Sequence, residues 1–428
     1  MVMILIIILI ACGLLGKTME KSWVNLLTFF SLMWAVIVFS ASLELYGMNS
    51  VSWRPYVLIG LGVISFTVGY SIFYHHPFRF SFGHNKKHNC TDYIFRNRLF
   101  SILIIVTFFV WLILACRTLQ LLYTGVSYSY IRDIYGGLNE KYSLIQNRYI
   151  DTIIKLFFVP SVYIIMVKTI YSFFSKKFKW YVYAISIVLL ITYCLSTGSR
   201  QILFILMIQL MFMLFLKHNN HRIFNISKKM KTRIAILIYV AIIGIIAITV
   251  NRPTRSQNIV WTHNMSYYAY CSLPVPMADY WMSVIDYEKF RSHGVAFFRG
   301  VLSLLSRLPI PFPSEYYNIS DIISTCANTY VPMFGTKTYN AFLSVFFYFY
   351  MDFGYIGVIV FSAIYGIITA SIYRNFKIYT NEFTSVLFLI FIISIIKSFA
   401  RWEFAQADYI MMFILLRLLY KKDYSNNY

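Results

Sequence analysis

Long apolar runs recur from one end of the chain to the other, separated by short polar clusters. A helix that crosses a bilayer needs about 20 apolar residues, and backbone inside the bilayer must satisfy its own hydrogen bonds. The pattern predicts an all-α, polytopic integral membrane protein with about eleven spans. They fall at 2–16, 23–46, 55–75, 99–122, 153–174, 180–196, 201–216, 234–250, 353–373, 383–399 and 408–420. Charged residues make up 13% of the chain, roughly half the share in a soluble domain, which excludes a soluble globular fold. Met1 to Ile10 has no basic segment and no small-residue cleavage site follows, so the first run is expected to stay as a helix.

The formal net charge of +22 invites a nucleic-acid reading, and the topology removes it. With the N-terminus outside, 20 cations and only four acids (Glu20, Asp92, Glu382, Asp423) fall on the inner side. This is the asymmetry that orients membrane proteins. Lys outnumbers Arg 14 to 6 inside, whereas outside Arg outnumbers Lys 10 to 3. Orientation alone favours neither residue type. Arg offers a planar fork that binds phosphate and keeps its charge in partly dry sites, so the outer surface points to an anionic, phosphorylated ligand.

The expected division is an eight-helix membrane half at 1–250 with an outer loop at 123–152, a long outer loop at 251–340, and three spans in 341–428. Loops this long are usually functional, and this one is rich in Tyr and Trp, which suit both a bilayer interface and a sugar ring. Within it, Phe297, Val301, Leu304, Leu305 and Leu308 share one helical face, while Arg299, Ser303, Ser306 and Arg307 share the other. Pro309, Pro311 and Pro313 stop the pattern. It predicts a helix lying on the membrane surface with its arginines outward; a scaffold lid is the alternative. Cys271 and Cys326 share this loop and are the two cysteines placed to form a bridge, which sequence alone leaves open.

Two short motifs offer phosphate contacts. Asn251-Arg252-Pro253-Thr254-Arg255 opens the long loop directly after a span, holding Arg252 and Arg255 near the interface. Ser196-Thr197-Gly198-Ser199-Arg200 is a tight outer hairpin with Gly at the turn. Interfacial anchoring is the alternative for both. Charges inside spans are costly and informative. Glu44, Arg117, Lys155, Lys397 and Arg401 lie near outer helix ends, where Glu44 and Arg117 are within reach of pairing, and Lys168 and Arg417 lie where they can snorkel inward. Asp352-Phe353-Gly354 has no accompanying kinase motif, and His84, His88 and Cys90 lie in a basic inner loop unsuited to zinc. The sequence implies neither a metal nor a cofactor.

The stretch from Met333-Phe334-Gly335-Thr336-Lys337-Thr338-Tyr339-Asn340 through Tyr348-Phe349-Tyr350-Met351-Asp352-Phe353-Gly354-Tyr355-Ile356-Gly357 to Tyr365-Gly366 resembles the bacterial O-antigen polymerases (Wzy, the oligosaccharide repeat-unit polymerases). Thr197-Gly198-Ser199-Arg200 and the single long outer loop are similar to that family as well. The related O-antigen ligases carry a His where this chain has Thr338 and Asn340. The resemblance implies a glycosyltransferase of the bacterial inner membrane that moves a growing glycan from one undecaprenyl diphosphate to the terminal sugar of another, with the long loop in the periplasm. It implies lipid-linked donor and acceptor glycans, membrane lipids and a chain-length regulator protein as partners, and no nucleic acid.

Negative charge grows on the departing diphosphate in such a reaction, and fixed cations there lower the barrier. Arg200, Arg252 and Arg255 are the expected clamp, with Arg299, Arg307 and Arg401 in support. The acceptor hydroxyl needs a base, and His263, Asp279, His293 and Asp352 are the candidates, with Asp352 equally suited to capping the next span. A lipid-linked oligosaccharide flippase and an O-antigen ligase are the rival readings.

Overall fold

A computed structural model describes residues 1–75, 93–136, 144–145, 147–174, 180–219, 239, 263–309, 311–379 and 381–422. In chain order its helices are α1 Val2–Glu20, α2 Leu26–Ser42, α3 Arg54–His75, α4 Asn97–Tyr123 and α5 Ile131–Gly136. Then come α6 Arg148–Phe174 (with one π-turn), α7 Trp180–Thr197, α8 Gln201–Asn219, α9 His263–Ser272 and α10 Pro274–Tyr287. The last are α11 Val295–Leu305, α12 Ser314–Asn328, α13 Ser344–Tyr379, α14 Glu382–Lys397 and α15 Ala407–Leu419. Strand β1 (Tyr93–Phe95) pairs antiparallel with β4 (Tyr420–Lys422), and β2 (Val331–Phe334) with β3 (Lys337–Tyr339).

Each expected span coincides with a helix except 234–250, of which only Tyr239 is described. Among the described residues, six helices (α1, α3, α4, α6, α7 and α13) are long and apolar enough to cross a membrane. Their outer faces agree. On α4, Ile102, Ile105, Phe109 and Ile113 form one exposed stripe, each more than half exposed, at the spacing of a single helical face. Contiguous apolar surface of that kind has no place in water, and the chain is accordingly an α-helical membrane protein.

The described residues form two compact units, each assembled from separated segments. The first contains α1–α3, α9–α12, most of α13 and the chain from Phe391 to Ala407. Asn25 caps α2 by accepting from Thr28 N at 2.8 Å. α3 and α13 approach closely, because a Cβ at Gly366 would stand 2.1 Å from the Phe66 carbonyl and one at Gly69 would stand 2.0 Å from that of Ala363. Small residues permit such packing where lipid gives no hydrophobic drive between helices. At one end, Glu20 takes an ion pair from Lys377 at 2.6 Å and a hydrogen bond from Tyr70 at 2.8 Å. At the other, Leu45 N donates to the Tyr268 hydroxyl, and Ser52 donates to Asp279.

The second unit contains α4–α8, the start of α14 and α15. Here Lys168, expected to snorkel, pairs with Glu382, and its ammonium lies 3.8 Å from the Phe95 ring centre. Lys155 pairs with Asp151 one turn away at 2.9 Å. Ile131, Ile134 and Leu144 give the 123–152 segment a small buried core of its own.

From residue 263 onward the long loop folds into α9–α12 and the β2–β3 hairpin, more helix than the single amphipathic one expected. The bridge that sequence left open is absent: Cys271 and Cys326 are free thiols, the first exposed and the second buried.

Candidate functional site

The site grows from the aromatic run that opens α13. Ser344 to Asp352 is buried throughout, and the helix then breaks at Phe353 and Gly354. Gly354 takes φ 61° and ψ −144°, a region open essentially to glycine. The chain between α10 and α11 is clasped onto this break. Ser292 N donates to the Met351 carbonyl at 2.9 Å, and Arg291 Nη1 is held by the Phe290 carbonyl at 2.7 Å.

Asp352 completes the clasp. It is fully buried; Oδ1 accepts from Ser292 Oγ at 2.6 Å, Gly294 N at 2.8 Å and Ala296 N at 3.0 Å, and Oδ2 accepts from Phe297 N at 2.9 Å. It caps the start of α11. Its expected role as a base does not fit, because its oxygens are occupied by these donors and closed to solvent. Its expected alternative, a cap on its own span, is corrected too: the helix capped is α11.

Tyr350 and Tyr348, two residues apart, face opposite ways. Tyr350 donates to Asp286 at 2.7 Å, and Arg291 reaches the same carboxylate at 2.8 Å. Arg54, at the head of α3, pairs with Asp286 as well. Burial alone would raise the Asp286 carboxyl, but hydrogen bonds from Tyr350, Arg291 and Arg54 hold it below the usual carboxylate range. Two guanidiniums therefore share one carboxylate.

On the other side, the buried Tyr348 hydroxyl lies within electrostatic reach of Arg299, Arg401 and Glu403. Glu403 takes Arg401 Nε at 2.6 Å and Lys397 Nζ at 3.3 Å. Burial alone would raise this carboxyl, but Arg401 and Lys397 hold it well ionised, below the usual range. Arg299 has neutral partners: Nε donates to Ser320 Oγ at 3.2 Å, and Nη2 to Ser324 Oγ at 2.6 Å and the Ser320 carbonyl at 3.3 Å. Trp402 locks the arrangement by stacking on Phe297 and donating its indole N–H to the Phe297 carbonyl at 2.9 Å. Two cations thus pair with Glu403, and Arg299 lies within electrostatic reach of the same tyrosine. Guanidinium forks partly sheltered from water can hold a phosphate or diphosphate.

The chain matches no family model, no curated protein and no solved structure.

Of the residues expected from sequence, Arg299 and Arg401 are brought together. The outward orientation expected of Arg299 is corrected: it faces α12, and α11 turns Ala296 and Gly300 inward while Phe298, Val301, Leu305 and Leu308 are exposed. Arg307 follows the end of α11, exposed. Arg200 opens α8 in the second unit, after a turn in which Gly198 takes φ 60° as its position requires. Arg252 and Arg255 lie outside the described residues, as does the side chain of His263. Asp279 accepts from Ser52 N at 2.7 Å and from its hydroxyl. His293 is exposed beside Phe353. Sequence reasoning missed Glu403, Tyr348, Asp286, Arg54 and Arg291 as parts of charge clusters. The spacing Lys397-x3-Arg401-x-Glu403 was the available signal, since it puts one acid within a turn or two of both cations.

Proposed function

We propose that this protein polymerises undecaprenyl-diphosphate-linked oligosaccharide repeat units into O-antigen or a similar surface polysaccharide at the periplasmic face of a bacterial inner membrane. The observation that carries the reading is the gathering of Arg401 and Lys397 on the buried Glu403, with Arg299, held by serine hydroxyls, within electrostatic reach of the same Tyr348 hydroxyl as Arg401. As the anomeric bond of the donor breaks, the departing lipid diphosphate gains negative charge, and fixed guanidiniums stabilise it without reorganising. Arg200, Arg252 and Arg255 stay in the proposal as further contacts of the lipid diphosphates. With Asp279 and Asp352 engaged with Ser52 and with the start of α11, His263 and His293 are the acceptor-base candidates in this reading, and His293 is the one exposed among the described side chains.

Eleven spans with the N-terminus outside and the C-terminus cytoplasmic complete the proposal, and the pattern of contacts supports it. Within the first unit, Glu20 meets Lys377, both assigned inside. Arg54, Asp286 and Arg291, all assigned outside, meet one another. Within the second, Tyr420 donates to Glu382 at 2.7 Å, at the ends assigned to the cytoplasm.

The test is the lipopolysaccharide banding pattern of the source bacterium with the gene deleted and then restored as wild type, Arg299→Ala or Arg401→Ala. Loss of one preorganised charge donor costs roughly 100-fold or more in rate. Both variants at normal protein level should then give core plus a single repeat in place of the ladder. Bare core on deletion would favour a flippase or ligase, and an unchanged ladder would remove the polysaccharide reading.

A further inference from the structure

Arg299 can serve the anion site only if α11 is held in one place. Ala296 and Gly300 face inward and Phe297 stacks on Phe361 and Trp402, while Phe298, Val301 and Leu305 are exposed. Asp352 adds a polar hold at the start of the helix. The first N–H groups of a helix lack partners within it, and a carboxylate at that end is favoured both by hydrogen bonding and by the helix dipole. Asp352 bonds Ala296 N and Phe297 N, the second and third residues of α11, together with Gly294 N and Ser292 Oγ just ahead of it. Arg299 follows two residues after Phe297, so the cap and the guanidinium are linked by a single rigid turn.

Tyr348 and Asp352 are four residues apart on α13 and share one face. That face therefore grips the start of α11 through Asp352 and comes within electrostatic reach of Arg299 through Tyr348. We infer that Asp352 is the positioning residue of the anion site: it fixes α11 so that Arg299 stands within reach of the same hydroxyl as Arg401. It touches no ligand and acts through α11. The inference rests on the anion-site reading above.

The test is a double-mutant cycle on the purified full-length protein in detergent, with undecaprenyl diphosphate as the probe and its dissociation constant as the readout. Arg299→Ala should weaken binding about tenfold or more, since a hydrogen bond to a charged group is lost. Asp352→Asn should weaken it several-fold, and Asp352→Asn with Arg299→Ala should bind within about twofold of Arg299→Ala alone, because coupled residues do not add. Losses that multiply, or no loss with Asp352→Asn, would overturn the positioning role. No loss with Arg299→Ala would instead bring down the anion site itself, a different and recognisable failure. Ser292→Ala, which removes one of the four bonds and leaves the carboxylate in place, carries the same cycle if Asp352→Asn does not fold. Non-additivity separates positioning from general destabilisation, which would lower binding in both backgrounds alike.

Discussion

Replacing Glu403 by Gln should destabilise the protein more than any other single polar change in the first unit. Glu403 is 2% exposed and its partner Lys397 only 5%. At their 3.3 Å separation, Coulomb's law with an effective dielectric constant near 20 gives an attraction of about 5 kcal/mol, part of which offsets the desolvation of both groups. Removing one member of such a pair leaves the other charge buried without compensation, at a cost of about 3–5 kcal/mol. Arg401, 36% exposed, keeps contact with water and adds little to that figure. For a unit of this size, 3 kcal/mol corresponds to a fall in Tm of roughly 6–12 °C, readable by thermal unfolding in detergent. The pair replacement Lys397→Met with Glu403→Gln should recover most of the loss, since a buried pair exchanged for uncharged groups of similar volume is often neutral. The wild type should also lose stability in acid. With its folded pKa below the unfolded value of 4.5, Glu403 contributes fully above that value and loses its contribution as pH falls through the folded one. A Glu403→Gln protein within about 1 kcal/mol of wild type, or a double variant no better than the single one, would refute the reasoning.

Further outcomes can be checked independently. Gly354→Ala should cost about 1–3 kcal/mol, because φ 61° with ψ −144° suits essentially glycine alone; an unchanged Tm would show that the break can relax. Maleimide should modify the exposed Cys271 in the native protein and spare Cys326, whose thiol is buried and pushed up to about 12. A cross-linked peptide containing both cysteines under non-reducing conditions would contradict the free thiols. His293→Ala should abolish chain extension while leaving undecaprenyl diphosphate binding unchanged, and equal losses in both assays would remove its role as base. Lys168→Met should lower stability by about 1.5–3 kcal/mol through the loss of a charged contact to Glu382, measured by the same thermal assay.

How far the sequence could be read depended on what water and lipid each enforce. Spans such as 99–122 and 180–196 were legible because a bilayer demands a long apolar helix and almost nothing else satisfies its backbone. The helices of 263–328 were not, since α9 and α12 carry Tyr, Ser and Asn at the density of a loop, and residues of that kind bias a reading towards turns. α11 is the instructive intermediate case. Its period was visible, and Val301 and Leu305 of the expected apolar face are exposed; what the period did not show is that Ala296 and Gly300 pack and that Arg299 turns to α12. A hydrophobic face records which side avoids water, and beside lipid that side need not meet protein. Glu403 was hidden for another reason. Its spacing to Lys397 and Arg401 offered a signal, but the pairing forms only because the chain turns beyond Lys397.

The two charge clusters at this end of the first unit look alike in composition and differ in what balances them. Asp286 takes both Arg54 and Arg291, with Tyr350 adding a third bond, so its guanidiniums have an anionic partner already in place. Such a cluster ties α3, α10 and α13 together and has little need of an occupant. Arg299 is held by two serine hydroxyls and a carbonyl, which orient a guanidinium without neutralising it. Glu403 must also serve Lys397 and Arg401 together. A cation kept partly away from water, with neutral partners among the described residues, gains from an anion, and charge-assisted bonds to that anion are stronger there than in water. Arg299 and Arg401, rather than the arginine-rich surface as a whole, are therefore the side chains suited to the phosphorylated ligand proposed above.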